Sequence, residues 1–495
     1  MIDPRARPGW STARRAGPSV PLLIVLVAAT GCDTAPLPDI ADAPDSPAPE
    51  DSGEVPEDCG LARLEPVATE GGTLTAASAR AYTGEPNDAL GTQVHGIGDI
   101  DRDGCGDLII QATPGVSGAA PEPVHYLVAG PPPASGVMSA VADAIWTDDE
   151  PHLHSEFGGN RTVPDVDLDG DHQMDVAFAP SICAGYCEVS RAEVFLLASG
   201  AAWPGTVQEL PVLIRDDPSC ENSSLLAGDW NGDGASDLAM FGGWNYGVSA
   251  WGAAWWGPFT AERQCQAPDA RVPLPAGEDA DLFFLTTPRA GDLDGDGRDE
   301  LVIVGQRDRE VDSLRRLFVI ESVPSGDFDL DAPLLRLDDT CTGSTLLADL
   351  DGDGHLDLTV KRLVDVEDYQ TEWLVLGAPL TRPDEVRLRI PAWWQSGARE
   401  GGDLLGGSGR TLLVSHLREG DPHQTSFCAL APGASGEVAL ADCDLRFGPE
   451  IFSSISSFDV APDVDGFGTT ALLVGGYPEG SEDDRASVLL GPLAI

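Results

Sequence analysis

One acidic phrase recurs along this chain of 495 residues, and it limits the possible folds more than any other feature. Each intact copy has Asp or Asn at positions 1, 3 and 5 and Asp or Glu at position 9, followed by Leu or Val. Five copies are intact and begin at Asp99, Asp167, Asp229, Asp292 and Asp349. Two eroded copies begin at Asp403 and Asp463, and successive copies lie 54 to 68 residues apart. Repeats of this length indicate one supersecondary unit copied along a propeller or a solenoid.

Apolar runs of strand length surround each phrase. A short run such as Ser344–Ala348 comes before it, and runs such as Leu301–Val304 and Trp373–Gly377 come after it. The 57 Gly and 40 Pro residues suit short strands separated by turns. Three clear strands and a weaker fourth in each unit predict a four-stranded antiparallel blade. Seven units therefore predict an all-β, seven-bladed β-propeller over residues 61–495.

The repeated phrase resembles the FG-GAP/VCBS repeat of integrin α-subunit heads and of many bacterial surface proteins. Leu90-Gly91 and Phe157-Gly158 stand where that family has its Phe-Gly pair. The resemblance implies that the acidic loop joins the first and second strands of each blade, counted outward from the axis. It also implies that an N-terminal strand around Leu61–Ala81 completes the last blade and closes the ring.

The spacing of the acidic residues is typical of a calcium loop. Calcium takes six to eight oxygen ligands, which a tight loop supplies from side chains at positions 1, 3, 5 and 9 and from the carbonyl of position 7. A glycine at position 6 allows the positive φ that folds the loop over the ion. The alternative, simple Asp-Gly turns, explains one copy better than it explains five.

We therefore expect up to five Ca²⁺ ions, one in each of loops 1 to 5. The predicted ligands are Asp99, Asp101, Asp103, Cys105 and Asp107 in loop 1; Asp167, Asp169, Asp171, Gln173 and Asp175 in loop 2; Asp229, Asn231, Asp233, Ala235 and Asp237 in loop 3; Asp292, Asp294, Asp296, Arg298 and Glu300 in loop 4; and Asp349, Asp351, Asp353, His355 and Asp357 in loop 5. Loops 1 and 5 match the pattern best, whereas His172 replaces the usual glycine of loop 2. The two eroded copies are expected to bind no ion.

The N-terminus predicts export. Residues 1–31 contain four Arg before an apolar run that ends in small residues and Cys32, which resembles the lipobox of bacterial lipoproteins. An ordinary secretory signal with a free Cys32 is the alternative. Residues 32–60 are acidic and rich in Pro, so we expect a disordered tether. This organisation predicts a lipoprotein of the bacterial cell envelope, in the outer membrane or on the surface, that contacts the membrane only through its lipid anchor.

The net charge limits the kinds of partner that the chain can bind, and the cysteines bear on its disulfide bonds. The formal net charge of −53 would repel phosphate backbones, so nucleic acid is an unsuitable partner. Outside the cytoplasm, cysteines pair into disulfides by default. The predicted pairs are Cys183–Cys187, Cys428–Cys443 and Cys220–Cys265. Nine cysteines besides Cys32 leave at least one thiol unpaired or bridging to a partner.

A ligand surface is predicted on the face opposite the acidic loops. In the family topology that face carries Trp244, Tyr246, Trp393 and Trp394, although packing between blades could also account for such aromatic residues. No nucleophile motif is recognisable, so the sequence predicts a monomeric binding or adhesion module for glycan or protein, and not an enzyme. The alternatives are a polysaccharide lyase or hydrolase built on a propeller and a purely structural envelope protein.

Overall fold

The computed structural model describes the chain in segments. These are residues 67–68, 73–74, 80–84, 88–114, 124–132, 135–147, 162–179, 182–184, 189–191, 193–203, 205–206, 209–215, 224–242, 251–272, 284–306, 315–321, 323, 327–329, 332–338, 340–365, 370–377, 386–393, 397–400, 410–418, 421–439, 445–449, 452–461, 470–478 and 487–494. The predicted signal peptide, Cys32 and the tether lie outside these segments, so they stay predictions. Within the described segments, no helix is long and apolar enough to cross a membrane.

Strands are the main secondary structure of the described chain, together with the turns and loops that join them. The N-terminal strands are β1 (Val67–Ala68), β2 (Thr73–Leu74) and β3 (Arg80–Thr83). The elements of the first three blades are β4 (Asp88–Gly96), β5 (Leu108–Pro114), β6 (Val124–Val128), β7 (Gly136–Val137), the short helix α1 (Met138–Val141), β8 (Ala144–Thr147), β9 (Thr162–Val166), β10 (Asp175–Phe178), β11 (Ile182–Ala184), β12 (Val189–Arg191), β13 (Val194–Leu197), β14 (Val212–Arg215), β15 (Ser224–Gly228), β16 (Asp237–Gly242), β17 (Trp251–Trp255), β18 (Arg263–Gln264) and β19 (Ala270–Val272).

The second half continues in the same way. Its strands are β20 (Phe284–Gly291), β21 (Glu300–Gln306), β22 (Arg315–Ile320), β23 (Leu335–Asp338), β24 (Thr340–Ala348), β25 (Asp357–Asp365), β26 (Gln370–Leu376), β27 (Val386–Trp393), β28 (Gly397–Glu400), β29 (Leu412–Arg418), β30 (Asp421–Leu430), β31 (Gly436–Glu437), β32 (Leu445–Pro449), β33 (Phe452–Ala461), β34 (Ala471–Pro478) and β35 (Ser487–Ala494). The apolar runs read from the sequence fall inside these strands, for example Leu301–Val304 in β21.

Six blades are each built from one continuous stretch of chain. Each is a four-stranded antiparallel sheet, in the orders β4-β5-β6-β8, β9-β10-β13-β14, β15-β16-β17-β19, β20-β21-β22-β23, β24-β25-β26-β27 and β28-β29-β30-β32. Short strands extend several blades in parallel, as β18 does beside β14 and β31 beside β27. The fold is therefore an all-β propeller with six blades of this kind. This differs from the predicted count of seven.

A further sheet combines the two ends of the described chain. It pairs β33, β34 and β35 with β3 in antiparallel order. Its fourth strand begins at Arg80, at the very end of the segment predicted for it. Because this sheet takes strands from both ends, it is not a repeat of the same kind as the other six.

Apolar clusters fill the spaces between neighbouring sheets. One cluster joins Leu168 of blade 2 to Trp255 of blade 3, and another joins Trp230 of blade 3 to Phe318 of blade 4. First strands of neighbouring sheets also touch, as where Arg289 Nε donates to the Thr345 carbonyl at 3.3 Å. The first strands are therefore the innermost strands, and the acidic loops leave them at one end.

Candidate metal centres

All five intact acidic loops join the first and second strands of blades 1 to 5. Position 2 of each loop is a buried apolar side chain: Ile100, Leu168, Trp230, Leu293 and Leu350. Each of these side chains belongs to a core cluster between blades. Positions 4 and 5 are exposed in every loop. Each loop is thus anchored to the core at its second residue and reaches solvent at its tip.

Backbone amides within each loop donate to its own acidic side chains. The position-6 N–H donates to a carboxylate oxygen of position 1 at 2.9–3.0 Å in all five loops. The position-5 N–H donates to Oδ1 of position 3 at 2.8–3.1 Å. The position-7 N–H donates to Oδ1 of position 5 at 2.8–2.9 Å. The loops therefore share one local geometry although their residues at positions 4, 6 and 7 differ.

Two positions in each loop have positive φ, and sequence reasoning identified only one of them. Position 6 has φ of +65° to +90°, and position 4 has φ of +65° to +83°. Glycine adopts this conformation without steric cost, whereas other residues do so at a cost of about 1–2 kcal/mol. The exceptions are His172 at position 6 of loop 2 and Arg102 at position 4 of loop 1, both with φ of +65°. Gly recurs at position 4 of the other loops, and this recurrence was the sequence signal for the second position with positive φ.

The position-9 carboxylate is the buried centre of each loop. It stands at the start of the second strand and is at most 1% exposed in all five loops. One of its oxygens accepts the position-2 N–H at 2.7–3.1 Å. In loops 1 to 3 the other oxygen accepts an N–H from just beyond the third strand, at Gly130, Ser199 and Gly257. In loop 4, Oε1 of Glu300 is buried and has no hydrogen-bond partner among the described residues.

Burial raises the pKa of every position-9 carboxyl because it penalises the charged form. The pKa rises to about 7 for Asp107, to about 8 for Asp237 and Glu300, and to about 6 for Asp175 and Asp357. Other carboxylates of the same loop raise these pKa values further, while the backbone N–H bonds lower them. A bound cation would remove this electrostatic penalty.

In three loops the carboxylates at positions 1, 3 and 9 converge. One oxygen from each lies within 4.8 Å of the others in the sets Asp99, Asp101 and Asp107; Asp167, Asp169 and Asp175; and Asp292, Asp294 and Glu300. Calcium–oxygen bonds of 2.3–2.6 Å put two ligands of one ion at most about 5 Å apart. These sets therefore fit a hard divalent cation such as calcium.

Loops 3 and 5 differ from this arrangement. In loop 3 the amide of Asn231 donates to Asp233 Oδ2 at 3.1 Å. In loop 5 the converging set is Asp349, Asp351 and Asp353. Position 9 of loop 5 contacts Arg387 of β27 instead, a residue that sequence reasoning did not connect with the loop. The sequence ranked loop 5 with loop 1 as the best match to the calcium pattern, and that ranking stays a prediction.

Neighbouring loops also contact one another, which the sequence did not predict. Arg102 of loop 1 pairs with Asp171 of loop 2 at 3.1 Å. Asp299, at position 8 of loop 4, donates its N–H to the Asp229 carbonyl of loop 3 at 3.0 Å and accepts the Asp229 N–H at 2.8 Å. These contacts link loop 1 to loop 2 and loop 3 to loop 4.

Several predicted residues lie outside the described part of the chain. Among them are Trp244, Tyr246, Trp394, Cys187, Cys220, Cys443 and the eroded-loop residues Asp403 and Asp463. Only the backbone is described at Trp393, which ends β27, and at Cys183 in β11. Cys265 and Cys428 are buried. The predicted ligand surface and the three disulfide pairings therefore stay predictions.

Comparisons with known proteins identify no family. No family model matches the chain, and no curated protein matches it. Solved structures match at low identity. An α-L-arabinanase of Penicillium chrysogenum complexed with arabinobiose is 10% identical, with a TM-score of 0.38, covering 84% of this chain and 93% of that one.

Two other solved structures are similar to the same degree. The polysaccharide lyase Uly1 is 9% identical with a TM-score of 0.42, covering 78% of this chain and 88% of that one. The Vibrio cholerae biofilm matrix protein Bap1 is 12% identical with a TM-score of 0.29, covering 84% and 68%. Identities and TM-scores this low indicate neither an activity nor a ligand for this chain. The propeller fold of this chain follows from its own sheet order.

The expectation that the chain is not an enzyme has to be corrected. It depended only on the lack of a recognisable nucleophile motif, which is an absence in the sequence and not an observation of a folded site. Function in propellers belongs to sites placed on a common scaffold. A missing sequence motif therefore does not exclude enzymatic activity for this chain.

Proposed function

We propose that this chain is a calcium-stabilised β-propeller of the FG-GAP/VCBS repeat type, with up to five ions in loops 1 to 5. The observation that carries the proposal is the convergence of three carboxylates in each of loops 1, 2 and 4. The buried, unpartnered oxygen of Glu300 supports it independently, because a polar atom buried in this way requires a partner.

The chain's own residues would hold each ion in the same way. Carboxylates at positions 1, 3, 5 and 9 and the carbonyl of position 7 are the donors, with Asn231 replacing one carboxylate in loop 3. The ion, when bound, supplies positive charge to a loop whose acidic groups otherwise repel one another. Its binding free energy then contributes to the stability of the fold by mass action.

The sheet that combines the chain ends supports a seventh blade and a closed ring. Its first strand contacts the first strand of blade 1, where Ser457 Oγ donates to the Gly91 carbonyl at 2.8 Å. On its other side, Phe458 lies edge-on to Phe427 of blade 6 at 5.1 Å. A sheet packed between the sixth and first blades would cover the faces that these two blades turn towards each other, as ring closure in a propeller requires.

We propose further that the propeller is an exported binding or adhesion module of the bacterial cell envelope, held there by a lipid on Cys32, and that its ligand is a glycan or a protein. The N-terminal sequence and the acidic, Pro-rich residues 32–60 support export and tethering. The aromatic residues of the predicted ligand face support a sugar or a protein surface as the ligand.

Calcium binding is tested by equilibrium dialysis of the purified protein against buffered calcium, with metal content measured per chain. Asp294→Ala in loop 4 removes the position-3 oxygen altogether and is expected to lower the ion count by one. Glu437→Gln serves as the control, because Glu437 is exposed and lies in β31, outside the loops. Equal counts for wild type and Asp294→Ala would contradict the proposed site.

The ligand is tested separately with a glycan array in calcium buffer. Binding that disappears in EGTA would support a calcium-dependent glycan-binding module. Release of oligosaccharide products from an array ligand would instead indicate a polysaccharide lyase or hydrolase. An array without binding, combined with retained calcium binding, would favour a protein ligand or a structural role.

A further inference from the structure

Arg387 reaches into loop 5 from the fourth strand of the same blade. Its Nη1 lies 2.7 Å from Asp351 Oδ2 and 3.0 Å from Asp357 Oδ2. These two carboxylates are positions 3 and 9 of the loop. The Arg387 side chain is 17% exposed and that of Asp357 is 2% exposed. One guanidinium nitrogen therefore bridges the buried carboxylate of Asp357 and the more exposed carboxylate of Asp351.

The arrangement distinguishes loop 5 from the loops that retain a free carboxylate cluster. In loops 1, 2 and 4 the converging oxygens come from positions 1, 3 and 9. In loop 5 the set contains positions 1, 3 and 5, and Asp357 is missing from it. Among the ion pairs of the described residues, Arg387 is the base that contacts a position-9 carboxylate. Arg102 of loop 1 pairs instead with the position-5 residue Asp171 of loop 2, and both of these side chains are exposed.

The guanidinium and a calcium ion would compete for the same oxygens. Calcium needs the oxygens of positions 3 and 9 within about 2.6 Å. The Arg387 nitrogen already lies between these oxygens at hydrogen-bond distance from both. Arginine stays protonated at all relevant pH values, so the competing charge cannot be lost by titration. Charge-assisted hydrogen bonds are the strong ones, and an ion must break two of them to enter.

We propose that Arg387 is a built-in cation that neutralises loop 5 in place of calcium, so that the wild-type propeller holds ions in loops 1 to 4 only. The inference deepens the proposed function and rests on calcium binding by the other loops. Loop 5 would then keep its shape at any calcium concentration, whereas its neighbours order with the ion. We expect the affinity of loop 5 for calcium to rise on the order of 100-fold when the guanidinium is removed.

The direct test is Arg387→Met, which keeps the unbranched stem and removes the charge. Arg389→Met is the matched control, because Arg389 lies two residues further along β27, is exposed, and pairs with Glu372 at 3.3 Å away from the loop. Metal content per chain is measured after equilibrium dialysis against calcium. Arg387→Met is expected to bind one more ion than wild type and Arg389→Met. Adding Asp351→Ala, which removes the position-3 oxygen, to Arg387→Met is expected to remove that ion again.

A second comparison uses the wild-type background and does not depend on how Arg387→Met folds. Asp353→Ala and Asp296→Ala remove the exposed position-5 oxygen of loops 5 and 4. We expect Asp296→Ala to lose one ion and Asp353→Ala to lose none. Loss of an ion in Asp353→Ala, or a folded Arg387→Met with an unchanged ion count, overturns the role of Arg387 while leaving calcium binding by loops 1 to 4 intact. Absence of calcium from wild type and every variant overturns the proposed function as well.

Discussion

Glu300→Gln is the substitution that best separates a calcium ligand from a structural acid. In the folded protein, Glu300 Oε2 accepts the Leu293 N–H at 2.7 Å, and Oε1 has no partner among the described residues. A Gln carbonyl can keep that one bond. Burial raises the pKa of Glu300 to about 8, so the ion-free carboxyl is largely protonated at pH 7 and Gln is close to it in shape and charge. We expect the free energy of unfolding in EGTA to change by less than about 1 kcal/mol.

In calcium the same variant is expected to lose much more of the free energy of unfolding than it loses in EGTA. A site at an ion concentration 100 times its Kd contributes about 2.7 kcal/mol, and Gln removes a charged ligand from that site. The assay is denaturant unfolding followed by tryptophan fluorescence, in EGTA and in calcium. A calcium-dependent gain equal to that of wild type would refute the reasoning. So would an equal loss of stability in both buffers, which would make Glu300 a structural residue.

Asp237→Asn, the corresponding position-9 substitution in loop 3, is the comparison for Glu300→Gln. Asp237 accepts the Trp230 N–H at 3.0 Å and the Gly257 N–H at 2.8 Å with its two oxygens. An Asn side chain can accept only one of these bonds and leaves one buried donor without a partner. This variant is expected to lose about 1–3 kcal/mol already in EGTA. A neutral Asp237→Asn in EGTA would show that the buried bonds around position 9 do not contribute as described.

Three further predictions concern the backbone and pH. His172→Gly relieves a left-handed backbone conformation that costs a non-glycine residue about 1–2 kcal/mol, whereas the greater backbone entropy of unfolded glycine costs about 0.5–1 kcal/mol. We therefore expect a small increase in the free energy of unfolding in EGTA, and a decrease would contradict the strain at His172. Gly475→Ala would place a Cβ against the Gly91 carbonyl, so we expect the free energy of unfolding to fall by about 1–3 kcal/mol. In the control Gly205→Ala the Cβ meets only a side-chain oxygen at 3.7 Å, so its stability is expected to stay near that of wild type. Burial lowers the pKa of His125 to about 4 in the folded chain, so on acidification the unfolded chain takes up this proton first. The free energy of unfolding is therefore expected to fall as the pH decreases from about 6.5 to 4. If His125→Gln keeps the same dependence of stability on pH as wild type, this prediction is wrong.

The local chemistry of the loops could be predicted from the sequence because it depends on neighbours in the chain. Positions 1, 3 and 5 interact with amides two to five residues away, and those bonds recur in every loop. The first-to-second-strand location of the loops and the exchange of an N-terminal strand also follow the predicted pattern. Short-range periodicity is sufficient for such features.

Long-range contacts could not be predicted in this way. Arg387 lies 30 residues after Asp357, and only the pairing of four strands brings it to loop 5. Asp299 lies 70 residues from Asp229, in the next blade. In loops 1 to 3 the second oxygen of the position-9 carboxylate likewise accepts an N–H from beyond the third strand. A single sequence does not define the register between strands, so these contacts are seen only in the folded chain.

The number of calcium ions retained by the purified wild-type protein tests the central claim most directly. Equilibrium dialysis against buffered calcium, followed by metal analysis, is expected to find four ions per chain, accompanied by a higher melting temperature than in EGTA. A protein that retains no calcium and melts at the same temperature in both buffers would contradict the account.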